Sequence, residues 1–125
     1  MQHRSALNWF EIPVRDMDRA QAFYESLLAT TIRRETIAPN QLGVFGYDEA
    51  GTGGCLIAGG SVPEPSASGT LVYLNAGASL DPVLARVESA GGRITTPKVT
   101  LPGDMGVFAH ITDTEGNRVG LHAPA

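Results

Sequence analysis

The second half of this chain repeats the pattern of the first. Trp9-Phe10-Glu11-Ile12-Pro13-Val14 reads as a strand, followed by an acidic residue and an amphipathic helix. Sixty-two residues later Leu71-Val72-Tyr73-Leu74-Asn75-Ala76 opens the same way. The helical apolar positions keep step: Met17, Ala20, Tyr24 and Leu27 correspond to Leu80, Val83, Val87 and Ala90. A repeat at this spacing means two copies of one supersecondary unit, each with an apolar face for the other to cover. Two such units tend to leave a pocket between them, so the question becomes what the pocket holds.

A chain of 125 residues is one domain over 1–125, with room for one core. The units divide it into 6–60, a Gly/Pro/Ser-rich linker at 61–69, and 70–124. The net charge of −4, with no basic cluster beyond Arg33-Arg34, argues against nucleic acid as a partner. No apolar run is long enough for a membrane span and no apolar signal segment opens the chain, so a cytoplasmic protein is expected. Residues 1–5 read as a frayed polar end. The single cysteine, Cys55, excludes an intramolecular disulfide and reads as a buried structural thiol.

Asp16 is a good N-cap for a helix through about Leu28, with Met17, Ala20, Tyr24, Leu27 and Leu28 as its buried stripe. Strands are expected near 31–37, 43–47 and 54–58. In the second unit Asp81-Pro82 supplies cap and first helical position, and Gly91-Gly92 ends that helix. Strands then follow near 93–97, 106–112 and 118–122, the last two joined by the turn Asp113-Thr114-Glu115-Gly116-Asn117. The order is βαβββ twice, an α+β class.

Paired βαβββ units, the opening NWFEIPVRDMDRAQAFYESLL and the close GVFAHITDTEGNRVGLHAP resemble the glyoxalase / bleomycin-resistance / extradiol-dioxygenase family, the vicinal oxygen chelate superfamily. The resemblance runs from about residue 6 to 124. Its most specific piece is the D-x-(D/E)-G-(N/Y)-x-(V/I) hairpin at Asp113–Val119. It implies two repeats forming a curled mixed sheet with a central cavity, and often a homodimer, some with swapped units. Metal-dependent members bring four ligands together from the first and last strands of each repeat. Carried over, those positions are Trp9, about Leu56, Leu71 and Gly120, and none supplies a metal ligand. The family's lactoylglutathione lyase chemistry, which relies on the metal, is therefore not assumed, and no cofactor is expected.

Period-two alternation assigns the strand faces. Phe10, Ile12 and Val14 form the core side of the first strand, and Trp9, Glu11 and Pro13 the cavity side. Leu71, Tyr73 and Asn75, then Phe108 and His110, then Arg118, Gly120 and His122 complete the cavity side. A carboxylate in an apolar strand needs a partner, and His110, His122 or Arg118 are candidates for Glu11. Three readings stay open. Glu11 and the histidines form a structural network ordering the barrel floor. Alternatively they orient a small, partly apolar or aromatic ligand, with Trp9, Tyr73, Asn75, Phe108 and Arg118 binding it and Glu11, His110 and His122 available for catalysis. The third reading is a relocated divalent-metal site of Glu11, His110 and His122, serving a lyase, isomerase or dioxygenase. A non-catalytic antibiotic-sequestering or structural protein is the contrasting class.

Overall fold

Alternation along the first strand requires something to bury Phe10, Ile12 and Val14, and the computed structural model, which describes residues 5–125, shows what does. The expected polar end falls mostly on Met1 to Arg4, outside the described residues; Ser5 is exposed. The elements are β1 (Trp9–Pro13), α1 (Met17–Leu28), β2 (Ile32–Ile37), β3 (Asn40–Phe45), β4 (Gly53–Ala58), β5 (Tyr73–Asn75), α2 (Asp81–Leu84), α3 (Val87–Ala90), β6 (Arg93–Thr100), β7 (Val107–Thr112) and β8 (Arg118–Ala123). They form two four-stranded sheets, ordered β1-β4-β3-β2 and β5-β8-β7-β6. In each the first strand runs parallel to the last and the rest are antiparallel, so the duplication read from sequence is a duplication of topology. Register keeps the correspondence read from sequence. The last ladder bond of β1 runs from the Val14 N–H to Ile57 and that of β5 from the Ala76 N–H to His122, so Val14 matches Ala76, Glu11 matches Tyr73 and Trp9 matches Leu71.

Asp16 caps α1 by accepting the Arg19 backbone N–H at 3.0 Å, and Ala29, at φ 51°, ends the helix in the left-handed region. The buried stripe is Met17, Ala20, Phe23, Tyr24 and Leu27. Phe23 takes the place expected for Leu28, which is only half-buried, because Phe23 lies one turn from both Ala20 and Leu27. The second unit's helix breaks into α2 and α3. Leu80 occupies the N-cap without a side-chain bond, and Asp81 is the first helical residue, its carboxylate paired with Lys98 at 2.9 Å.

Both sheets turn their core faces inward onto the helices. α1 packs on β3 and β4, α3 packs on β6, and α1 meets α3. Ile12 and Leu56 from the first sheet, Leu27 and Val87 from the helices, and Ile111 and Leu121 from the second sheet belong to one buried cluster. The sheets thus stand back to back with helices between them and do not close around a barrel. A crevice of about 490 Å³ does lie between the units, lined by core-side residues such as Phe10, Phe45, Val72 and Leu74 and also by Tyr47, Tyr73 and Asn75.

The turn at 113–117 is the junction of the units. Asp113, Glu115 and Asn117 are all buried. Asp113 accepts the backbone N–H groups of Glu115 and Asn117 at 2.8 and 2.9 Å and the Tyr24 hydroxyl of α1 at 2.6 Å. Burial first, then the Asp113 charge, holds the Tyr24 phenol well above its usual range. Asn117 donates to the Pro13 carbonyl at 2.7 Å. Glu115 accepts from the backbone N–H groups of Arg15 and Asp16 at 2.9 and 2.8 Å, from Arg19 at 2.7 and 3.0 Å, and from Thr114 at 2.9 Å. Gly116, at φ 96°, supplies the left-handed backbone that closes the turn.

Burial acts to raise the Glu115 pKa, but the Arg19 bond, the Asp16 and Arg15 N–H groups and Thr114 outweigh it and hold the carboxyl at about 2. A folded value below the unfolded 4.5 means stability present above pH 4.5 and lost as pH falls towards 2. The linkage is worth on the order of 3 kcal/mol at neutral pH. Glu115→Gln should therefore cost about 2–4 kcal/mol in urea unfolding at pH 7. The gap from the unsubstituted protein should narrow as pH falls from 4.5 towards 2; a gap independent of pH would refute the assignment.

Candidate functional site

Because the core faces meet, the alternate residues of each strand point away from the core, on the outer sides of the two sheets. The second sheet's outer face carries Tyr73, Asn75, Phe108, His110, Arg118 and His122. Gly120 makes this arrangement possible, since a Cβ there would lie 2.4 Å from the Tyr73 ring. The ring instead crosses β8 and reaches His110, whose Nε2 is 2.7 Å from the Tyr73 hydroxyl. On its other side His110 Nδ1 lies 3.0 Å from the Thr96 hydroxyl and 3.2 Å from Arg118 Nη2. Phe108 packs edge-on to Tyr73 at 5.8 Å and lies 5.2 Å from the His110 ring. Burial, and then the Arg118 charge, lowers the His110 pKa, so the imidazole is neutral near pH 7.

His122 shares this face but not this network. Its Nε2 donates to the Met105 carbonyl at 2.6 Å. Asn75 is exposed and accepts the Gly77 backbone N–H at 2.9 Å. Thr96 is a member that sequence reading missed. β6 changes register on both sides of it, so simple alternation could not place it on this face.

The first sheet's outer face carries Trp9, Glu11, Val44, Cys55 and Ile57. Trp9 meets Tyr47 edge-on at 6.1 Å. A Cβ at Gly53 would lie 2.4 Å from the Tyr47 ring, so Gly53 admits that ring as Gly120 admits Tyr73. Tyr47 was also missed: the strand expected over 43–47 includes it, but β3 ends at Phe45, so alternation does not carry on to Tyr47. Cys55 is buried as expected; burial first, then the Glu11 charge, pushes its thiol up to about 11. Val62 from the linker packs over Leu42, Val44, Cys55 and Ile57, leaving Trp9, Glu11 and Tyr47 open.

Two expectations are corrected here. Glu11 is exposed and has no hydrogen-bond or ion-pair partner among the described residues. It lies on the first sheet and the histidines on the second, so one chain does not bring Glu11, His110 and His122 together. Leu56 does not face the site. The parallel register sets it beside Ile12, fully buried in the core, and Cys55 takes the outward position.

The family's metal fits this donor set poorly. Trp9, Leu71 and Gly120 offer no ligand atom, and burial keeps the Cys55 thiol protonated. Among the described residues, no three His, Cys, Asp or Glu side chains gather as a metal-binding group.

The matching folds agree with this architecture. TnmS3, an antibiotic binding protein from Streptomyces sp. CB03234, superposes with a TM-score of 0.69 at 23% identity, covering 100% of each chain. The fosfomycin resistance protein FosX from Listeria monocytogenes gives 0.65 at 20% identity, over 97% of this chain and 92% of its own. Glyoxalase I from Zea mays gives 0.69 at 20% identity, over 93% of this chain but 45% of its own, so this chain spans under half of that protein. No curated protein sequence matches the chain. At these identities the likeness is one of fold. The sequence profile of the family, however, matches residues 6–121, nearly the whole chain. With the duplicated sheets and the buried 113–117 turn, that match establishes that the chain belongs to the Glyoxalase/Bleomycin resistance protein/Dioxygenase superfamily.

Proposed function

We propose that this protein binds a small aromatic molecule in a cavity that two copies of the chain build together. The first sheet's outer face of one copy would oppose the second sheet's outer face of the other. One observation carries the reading: on a single chain the two faces that bear the aromatic and polar residues point away from a shared core. Each face is unfinished alone. Trp9 is 39% exposed, Tyr47 52% and Tyr73 47%, and large aromatics on open faces call for a partner or a ligand. β1 and β5 are edge strands with unpaired backbone groups, which a second copy would cover. A two-fold axis would create two equal cavities.

In each cavity Trp9 and Tyr47 of one chain would face Tyr73 and Phe108 of the other, a ring-stacking surface for a planar ligand. The likeness to an antibiotic binding protein supports ligand holding as the activity. Aromatic contact and hydrogen bonds would hold the ligand, because the residue types on the faces are those of recognition. Glu11, which has no partner among the described residues, favours a second reading, in which Glu11 of one copy meets His110 and His122 of the other and does acid–base work on the ligand.

Trp9 is the one tryptophan, so its fluorescence reports the cavity directly. Aromatic ligands should quench it saturably, and Phe108→Ala should weaken that binding by roughly tenfold. Glu11→Gln should change affinity less than threefold in a binding protein; abolished turnover of a bound compound would instead establish the catalytic reading.

Mixing variants tests the assembly. Trp9→Asp and Tyr73→Asp chains should each fail to bind. Unfolded and refolded together, they should recover about a quarter of the sites, since half the dimers are mixed and each mixed dimer keeps one intact cavity. Binding unrestored in mixed dimers confirmed by native mass spectrometry would overturn the two-chain cavity.

A further inference from the structure

The hydrogen bonds around His110 determine where three protons sit. Arg118 Nη2 lies 3.2 Å from His110 Nδ1. A guanidinium only donates, so Nδ1 must accept and carry no proton. The Thr96 hydroxyl, 3.0 Å from the same nitrogen, can donate as well as accept, and beside a bare Nδ1 it shares that lone pair with Arg118. A neutral imidazole has one proton, which is therefore on Nε2. Nε2 is 2.7 Å from the Tyr73 hydroxyl, so the imidazole N–H donates to the phenol oxygen. The phenol's own proton must then point away from His110. Tyr73 makes no other hydrogen bond among the described residues, and it is 47% exposed.

We infer that Tyr73 offers this proton as the donor that selects the ligand, which must carry an acceptor oxygen, a carbonyl or carboxylate, on an aromatic ring. The inference rests on the outer face being the ligand-binding surface proposed above. The rest of the second sheet's face agrees with it. Arg118 has no carboxylate partner among the described residues, and its remaining N–H groups add donors. His122 uses its Nε2 proton on the Met105 carbonyl. Phe108, edge-on to Tyr73, supplies apolar contact for the ring. The face therefore offers donors around an aromatic floor. A ligand whose polar groups only donate would leave the Tyr73 proton unpaired. His110 is a positioning residue in this account, acting through the orientation of the Tyr73 hydroxyl, and Arg118 sets that orientation through Nη2 besides offering its other N–H groups to the ligand.

Two measurements on the intact protein test it. Nitrogen-15 NMR of labelled histidine should show His110 protonated at Nε2 and bare at Nδ1; an Nδ1–H tautomer overturns the inference. The second is a titration with 2-acetylnaphthalene, 2-naphthoate and the oxygen-free 2-isopropenylnaphthalene, read by Trp9 fluorescence. The two oxygenated probes should bind roughly tenfold more tightly than the hydrocarbon. Tyr73→Phe, which keeps the ring and removes the hydroxyl, should erase that preference. Arg118→Met frees Nδ1 to take the proton and should weaken the preference, and Arg118→Lys, again donor-only, should restore it. Equal affinity for all three probes overturns the inference and leaves the binding reading standing. A preference for naphthoate alone that survives Tyr73→Phe assigns selection to Arg118 and also overturns it. No binding of any probe overturns both.

Discussion

The Glu115 carboxylate organises this molecule. It comes from the turn before the last strand of the second unit, and it is buried against the start of the first unit's helix. A buried carboxylate is tolerable only when its oxygens are fully occupied. Here two backbone N–H groups, the Arg19 guanidinium and the Thr114 hydroxyl occupy them. The neighbouring Asp113 and Asn117 tie the same turn to Tyr24 and Pro13. These bonds cross from one unit to the other, so they set how the repeats sit together. The apolar cluster between the sheets is then a consequence as well as a cause of that placement.

Fixing the units back to back decides where chemistry is possible. Each sheet has one face committed to the helices and one face left outside. The outer faces are built alike: a glycine on the closing strand, Gly53 or Gly120, gives way to a tyrosine ring, Tyr47 or Tyr73. Their chemistry differs. The first sheet offers Trp9 and the exposed Glu11 carboxylate, while the second offers phenol, imidazole and guanidinium. Opposed faces of two copies would join complementary halves, which is why the proposed cavity needs two chains.

Much of this was legible from residues alone. The repeat, the strand faces, the Asp16 cap and the Phe10, Ile12, Val14 core side all follow from local periodicity and capping chemistry, and the structure bears them out. The carboxylate in need of partners was misplaced, because a charge inside an apolar strand looks buried. Glu11 is on the outer face and exposed, whereas Glu115, in a polar turn that reads as surface, is the buried one. Leu56 was placed one residue out of phase, since only the pairing with β1 sets the register of β4. Tyr47 and Thr96 escaped because one lies past a strand end and the other lies in an irregular one.

The sequence by itself determined the two units, their element types and which side chains share a face. Those properties are set within a few residues by alternation, helical spacing and turn chemistry. Only the tertiary structure decided that the polar faces turn outward and that Glu11 is separated from His110 and His122. Tertiary packing also put the hydrogen bonds of His110 in the hands of Thr96 and Arg118. Those outcomes depend on how one unit packs on the other and how strands fall into register, and neither is encoded in the spacing of any single segment.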